Sequence, residues 1–293
     1  MKEIITIETL PEEIYVELEK DFHNKLWENV SSITVKKLSK ELSIPLRNLY
    51  KYKETKSGYP LKHLKRFLAY TDLMPNNITI KPQRDAKRLQ ANLPIKCSIE
   101  FAGFLGHLLG DGGIDKQFQV HYTSNREDFL DRFDYLLHKV FGKVEKKTYD
   151  YGTRKTYYYP KIIGQLLKSI DIPVGNKVDS NASIPIKILN MFDPKMKIEF
   201  IKAFYECDGE SKQIRIIQGG KVADTPKILI QIKNMLCEFG FKSVIIEPST
   251  TYHTQRGEHR RWVLKIKNRT EKIKFVKIIN PSKLSWLIIG SRV

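Results

Sequence analysis

Two aspartates carry the chemistry this sequence offers most plainly. Asp111 and Asp208 are each followed by a glycine, each closes a run of helical character, and they stand 97 residues apart. A carboxylate at a helix C-terminus faces the negative end of the helix dipole and is unfavourable there. Two such carboxylates brought together repel, and a divalent cation is the natural remedy. The runs leading into them give the two a reason to meet. Gly106 and Gly110 lie four residues apart, on one helix face, and Ala203 and Cys207 do the same in the second run. Glycine costs up to about 1 kcal/mol in a helix interior, so small residues at that spacing point to a second backbone approaching closely. A single Asp-Gly reads as a helix stop with a left-handed cap. Its recurrence after two small-residue faces reads as a metal site.

The elements that position these aspartates come in duplicate. Residues 99–112 match residues 197–209, and the Phe141-Gly142 pair answers Phe239-Gly240 at a spacing of 98 residues. Two anchors that agree within one residue make an internal duplication secure. Each half then reads as a helix ending at Asp-Gly, a strand (118–123; 214–217) and an amphipathic helix (126–141; 226–239). A two-stranded hairpin (144–150 with 154–159; 243–252 with 261–267) and a closing helix near Pro160 and Thr270 complete it. The fold class is therefore α+β, with a sheet in each half that has one face to spare.

Upstream the composition changes. Residues 1–30 hold eight Asp or Glu against three Lys, whereas Lys36 to Arg66 hold ten Lys or Arg against two Glu. Within that basic stretch Val35, Leu38 and Leu42 share a helix face, Ser43-Ile44-Pro45 interrupts it, and a second helix starts at Leu46. A helix, a short turn and a basic helix carrying Arg47 and Lys51 make a helix-turn-helix pattern, with Leu61–Tyr70 as a third helix. The expected organisation is a small helical, helix-turn-helix-like domain at 1–71, a linker at 72–95 rich in Asn, Pro and charge, a first repeat at 96–192 and a second at 193–293.

Bulk composition narrows the partners. The 293 residues carry a net charge of +18, from 51 basic against 33 acidic side chains. A heat-adapted surface raises Glu along with Lys; an unmatched excess suits a polyanion, from which it releases counterions. The three cysteines lie far apart and the seven histidines are scattered, which excludes a disulfide scaffold and a cysteine-based zinc site. A metal here is held mainly by oxygen, as suits a hard cation such as Mg²⁺. No apolar run approaches the ~20 residues of a membrane helix, and the acidic start lacks the basic and apolar regions of a signal peptide, so cytoplasm is the expected compartment.

Phe104–Gly112 and Ile201–Gly209 resemble the two LAGLIDADG motifs of homing endonucleases of the double-motif monomeric type, and the likeness extends over residues 95–290. That resemblance implies two pseudo-symmetric αββαββα repeats, if 113–117 supplies one more short strand, whose sheets form a saddle on double-stranded DNA. The implied protein is a monomer with internal pseudo-twofold symmetry, and its implied activity is site-specific cleavage of both strands by Mg²⁺-assisted phosphodiester hydrolysis. It implies two or three divalent ions at the repeat interface, ligated by Asp111 and Asp208 with the carbonyls of Gly110 and Cys207. It further implies a lysine near the metals in each half, for which Lys177 and Lys283 are placed, and a polar active-site group at Gln119. The motif's earlier acid is replaced by Leu109 in the first copy; in the second it is Glu206, expected to cap or face solvent.

The hairpins carry Lys146, Tyr149, Arg154, Tyr157, Arg260, Trp262, Lys265 and Lys267. Period-two spacing puts one set on a common face, and a two-stranded ribbon fits the major groove, so these are the expected DNA contacts, with some tyrosines packing the other face. Two other readings use the same scaffold: a transcriptional regulator that binds without cutting, and a maturase acting on structured intron RNA. The paired aspartates favour cleavage over the regulator.

Overall fold

The computed structural model describes residues 2–12, 14–54, 58–75, 77–81, 89–210, 212–255 and 257–284. The chain opens with β1 (Glu3–Ile5), β2 (Tyr15–Leu18), α1 (Lys20–Asn29), α2 (Val35–Glu41), α3 (Leu46–Lys53), β3 (Tyr59–Pro60) and α4 (Leu61–Thr71). It continues through β4 (Asn77–Lys81), β5 (Leu89–Asn92) and β6 (Ile95–Lys96). The N-terminal unit is thus mixed rather than wholly helical: β3, β2, β4 and β5 form an antiparallel sheet. Residues 72–95, expected as a linker, contribute two of its strands. The reason lies in Ile78, Ile80, Leu89 and Ala91, which alternate at period two and are all buried. Residues 82–88 of that stretch lie outside the described residues. β1 pairs with β6, and the Cys97 N–H donates to the Lys2 carbonyl, which ties the start of the chain to the threshold of the next helix.

The first repeat comprises α5 (Ile99–Leu109), β7 (Gly112–Ile114), β8 (Val120–Ser124), α6 (Glu127–Phe141), β9 (Lys147–Asp150), β10 (Lys155–Tyr158) and α7 (Lys161–Ser169), with sheet order β7-β8-β10-β9. After the short α8 (Ile186–Leu189), the second comprises α9 (Pro194–Asp208), β11 (Arg215–Lys221), α10 (Lys227–Glu238), β12 (Val244–Thr254), β13 (Gly257–Ile266) and α11 (Arg269–Ile279), with order β11-β13-β12. The duplicated order is as expected, with one departure. In place of β7 the second repeat has a single bridge, Gly209 to Ile216. The Tyr205 hydroxyl donates to the carbonyls of Glu210 (2.7 Å) and Gln213 (2.8 Å), closing the turn before a strand can extend.

Every residue of α5 from Phe101 to Leu109 is buried. A helix apolar on all sides belongs at the centre of a core, and α5 sits there, against α9 on one side and α6 on another. Its start is fixed by Ser98, whose side chain accepts from the Phe101 N–H; Asp193 does the same for α9 at Met196.

Candidate metal and nucleic-acid site

The two Asp-Gly helices pack by their small-residue faces. A Cβ added at Gly106 would stand 2.7 Å from the Phe200 carbonyl oxygen and 2.8 Å from the Ala203 Cβ. One added at Gly110 would stand 2.5 Å from the Cys207 Cβ. Only glycine admits so close an approach, and it brings the C-termini of α5 and α9 side by side. Asp208 is the last residue of α9, and Asp111 follows the end of α5 by two residues.

Helix ends leave carbonyls without intrahelical donors, and here two lysines supply them. Lys177 Nζ donates to the carbonyls of Leu109 (2.9 Å) and Gly110. Lys283 Nζ donates to those of Cys207 and Gly209, both at 3.0 Å. The placements expected for Lys177 and Lys283 are therefore brought together with Asp111, Asp208, Gly110 and Cys207. Gln119 is not. It lies at the turn end of the β7–β8 hairpin, its N–H donating to Asp115, whereas Asp111 lies at the open end, since Gly112 pairs with Tyr122. The polar side chain at the carboxylates is Gln218, whose Nε2 donates to Asp208 Oδ2 at 2.6 Å. It lies two residues past Ile216, which bridges to Gly209, a register that the sequence spacing does not reveal.

Electrostatics set this pair apart. Burial raises Asp208 to about 7; Lys177 and Lys283 oppose the shift, and Asp111 adds to it. Partial desolvation of the Asp111 carboxyl also raises its pKa, against the pull of Lys177, Lys283, the Cys207 thiol and Arg154, although the residue as a whole is exposed. Burial holds Lys177 below the usual lysine range. Two crowded carboxylates with helix-end carbonyls form an oxygen-rich donor set that fits a hard divalent cation. Among the described residues no group of three or more His, Cys, Asp or Glu could hold a metal, so further ligands would come from carbonyls, water or the substrate.

Glu206 is buried rather than solvent-facing: its Oε1 accepts from the Ser282 N–H at 3.3 Å, and its Oε2 stands 4.0 Å from His107 Nε2. Burial depresses His107 to about 3, so that contact involves a neutral imidazole. His107 Nδ1 and the Tyr122 hydroxyl stand 3.1 Å apart, and both touch the Cys207 sulfur, which fixes the α9 end from behind.

The sheets place the expected DNA contacts on both faces. Tyr149 is exposed and stands across from Thr156 on the helix-free face, where its ring meets Tyr158 edge-on at 5.3 Å. Arg154 is exposed at the turn between β9 and β10, and its charge reaches Asp111. Lys265 shares the helix-free face of β13 with Arg261 and pairs with Glu247. Lys267 is exposed just beyond the strand. The other four turn the opposite way. Tyr157 is buried across from Tyr122, and Lys146 stands over its ring at 4.1 Å while donating to Asp134 of α6 at 2.6 Å. Trp262 alternates with Leu264 and packs against the core. Arg260 shares the Trp262 side, its Nε donating to Thr251 at 3.4 Å. Alternation yields two sets but not which one the helices cover. The uncovered set also includes His121, Lys147 and Tyr158 in the first repeat and Arg215, Lys221 and Arg261 in the second. Arg47 and Lys51 are exposed on α3.

Among the described residues no helix is long and apolar enough to cross a membrane. Residues 99–169 match the family model described as a LAGLIDADG-like domain. Among solved structures, mesophilic variants of the homing endonuclease I-DmoI are 19% identical, with a TM-score of 0.45 over 64% of this chain and 98% of that one. I-DmoI in complex with DNA and Ca is 18% identical, with a TM-score of 0.45 over 64% and 93%. Full-length DUF199/WhiA from Thermatoga maritima is 12% identical, with a TM-score of 0.41 over 68% and 62%. Residues 99–169, which hold α5, Asp111 and the sheet that follows, are thus the part of this chain that is similar to a LAGLIDADG-like domain.

Proposed function

We propose that this protein is a site-specific, double-strand DNA endonuclease that hydrolyses phosphodiesters with divalent metal, Mg²⁺ being the expected ion. The observation that carries the reading is the meeting of Asp111 and Asp208 at the ends of two packed helices, flanked by Lys177 and Lys283. Two or three ions at the repeat interface would be held by these carboxylates and by the carbonyls of Gly110 and Cys207. Each of those carbonyls already accepts from a lysine and retains a second lone pair. A divalent cation there supplies a lowered pKa for water and neutralises charge at the attacking and leaving oxygens.

The chain's own groups do the rest. Gln218 holds Asp208 in place through its 2.6 Å hydrogen bond. On this reading the ammonium groups of Lys177 and Lys283 would meet the negative charge that grows on a phosphate undergoing attack, and pre-positioned cations stabilise such charge. One aspartate per repeat gives each DNA strand its own acid. The helix-free faces, with Lys147, Tyr149 and Tyr158 in one repeat and Arg215, Arg261 and Lys265 in the other, offer cations and rings to the duplex.

The test is cleavage. Incubated with Mg²⁺ and a plasmid library carrying randomised inserts, the protein is expected to linearise a subset sharing one sequence. Asp111→Asn and Asp208→Asn are each expected to abolish double-strand cutting while DNA binding persists. Full cutting by either variant overturns the assignment. Binding without cutting by the unmodified protein would move the reading to a non-cleaving regulator.

A further inference from the structure

The cleavage centre makes no use of the basic N-terminal unit, yet that unit is built to hold one helix rigid and uncovered. α2 and α3 are joined by residues 42–45, with Ser43 in the left-handed region at φ 51°. Ser39 Oγ donates to the Ile44 carbonyl at 2.7 Å, and Arg66 Nη1 donates to the carbonyls of Leu42 (3.2 Å) and Ser43 (2.7 Å), so the turn is pinned from both sides. Leu38, Leu42, Ile44, Leu49 and Tyr52 are all buried beneath it.

The rear of α3 is fixed as firmly. A ring nitrogen of His23 is bonded to the Tyr52 carbonyl at 2.8 Å, the Tyr52 hydroxyl is bonded to His63 at 2.7 Å, and the Tyr52 ring packs on Tyr59 at 4.8 Å. The front carries Leu46, Arg47, Tyr50 and Lys51, four exposed residues that share one helix face. Tyr50 is 52% exposed. Lys36, Lys37 and Lys40 stand exposed on α2 beside it.

We infer that α2 and α3 form a second docking surface for duplex DNA, with α3 entering the major groove and the lysines of α2 on the backbone. The geometry is that of a helix presented after a four-residue turn, and a B-form major groove admits one α-helix. Charge selects the partner: the stretch from Lys36 to Arg66 has ten basic residues against two acidic ones, and Arg47, Lys51, Lys36, Lys37 and Lys40 are all exposed on α2 and α3. Arg47 and Lys51 meet bases or phosphates, and Tyr50 lies on sugar or base edges. Because β5 and β6 pack on α6, the contact falls on the flank of the first repeat. This surface needs DNA but not cleavage, so it stands whether or not the paired aspartates cut.

The test uses the full chain in EDTA with a fluorescein-labelled, random-sequence 40-base-pair duplex, read by anisotropy from 50 to 300 mM KCl. Arg47→Ala with Lys51→Ala is expected to weaken binding at least tenfold at low salt and to reduce the slope of log affinity against log salt by about 2, near 0.9 per phosphate contact. Tyr50→Ala, which keeps the charge, is expected to weaken binding and leave the slope alone. Lys168→Ala with Lys187→Ala, in α7 and α8, serves as the charge-matched control. Circular dichroism melts confirm that each variant is folded. If the Arg47/Lys51 variant and the control share one slope, the inference is overturned. It is likewise overturned if single-stranded RNA of equal length displaces the duplex at lower concentration than unlabelled duplex does.

Discussion

Lys177 and Lys283 do the same work for two different helices: Lys177 bonds the carbonyls of Leu109 and Gly110 at the end of α5, and Lys283 those of Cys207 and Gly209 at the end of α9. Each places an ammonium at the negative pole of a helix dipole and beside an aspartate. Replacing either by Met removes a pair of charge-assisted hydrogen bonds, expected to cost about 1.5–3 kcal/mol of stability. It also removes a cation from the centre, expected to slow cleavage about 100-fold or more. Urea titration and single-turnover cleavage check the two effects separately. Wild-type rates in both variants would remove the lysines from the mechanism.

The glycines in the helix seam are expected to tolerate nothing larger. A Cβ at Gly106 meets the Phe200 carbonyl oxygen at 2.7 Å, backbone that cannot step aside without separating α5 from α9. Gly106→Ala is expected to destabilise the fold by about 1–3 kcal/mol, the usual cost of overpacking, and to lose cleavage more steeply than stability because the aspartates part. An unchanged urea midpoint would contradict the seam as described.

The duplication and the paired acids were legible because each rests on local pattern: small residues four apart, Asp-Gly, and a repeat spacing; Lys177 and Lys283 were placed by the family resemblance alone. What failed depended on register or on face. Gln218 could not be found by equal spacing, since Gly112 pairs with Tyr122 whereas Gly209 bridges to Ile216, and the second hairpin is shorter by three residues. Tyr157 and Trp262 were misassigned because period two defines two faces without saying which one the helices cover. The strands at 77–81 and 89–92 carried the alternation of Ile78, Ile80, Leu89 and Ala91, masked by the surrounding Asn, Pro and charge.

Gln218 and Gln119 offer a paired comparison. Gln218 reaches Asp208 at 2.6 Å and positions it, whereas Gln119 lies at the far end of its hairpin from Asp111. Gln218→Ala is expected to lower the single-turnover rate with little change in DNA affinity, and Gln119→Ala to leave the rate near wild type. The opposite ranking would return the polar role to Gln119.

Glu271 supplies a pH dependence separate from the paired aspartates. It accepts from the Ser243 hydroxyl and N–H and from the Lys242 N–H, and these bonds hold its carboxyl below the usual range. A depressed carboxylate binds its proton more weakly in the folded state, so its contribution is present above the unfolded value and lost as pH falls through the folded one. Glu271→Gln is therefore expected to be less stable than wild type at pH 7, with the gap closing as acid protonates the wild-type group. A gap that stays constant from pH 7 to pH 2 would show that the carboxylate charge is irrelevant to the hydrogen bonds.

Neighbouring residues on β13 separate DNA contact from packing. Arg261 projects from the helix-free face, its guanidinium 5.8 Å from the Tyr252 ring, while Trp262 points the other way into the core. Arg261→Ala is expected to leave the urea midpoint unchanged, to weaken duplex binding, and to reduce the salt slope by about 0.9 if it meets one phosphate. Trp262→Ala is expected to cost about 2–4 kcal/mol of stability, toward the lower part of the range for aromatic truncation because the ring is only partly buried. Its effect on binding should follow the folded fraction alone. If Trp262→Ala weakens binding in fully folded protein while Arg261→Ala does not, the face assignment of the second sheet is inverted, and the duplex approaches from the helix side.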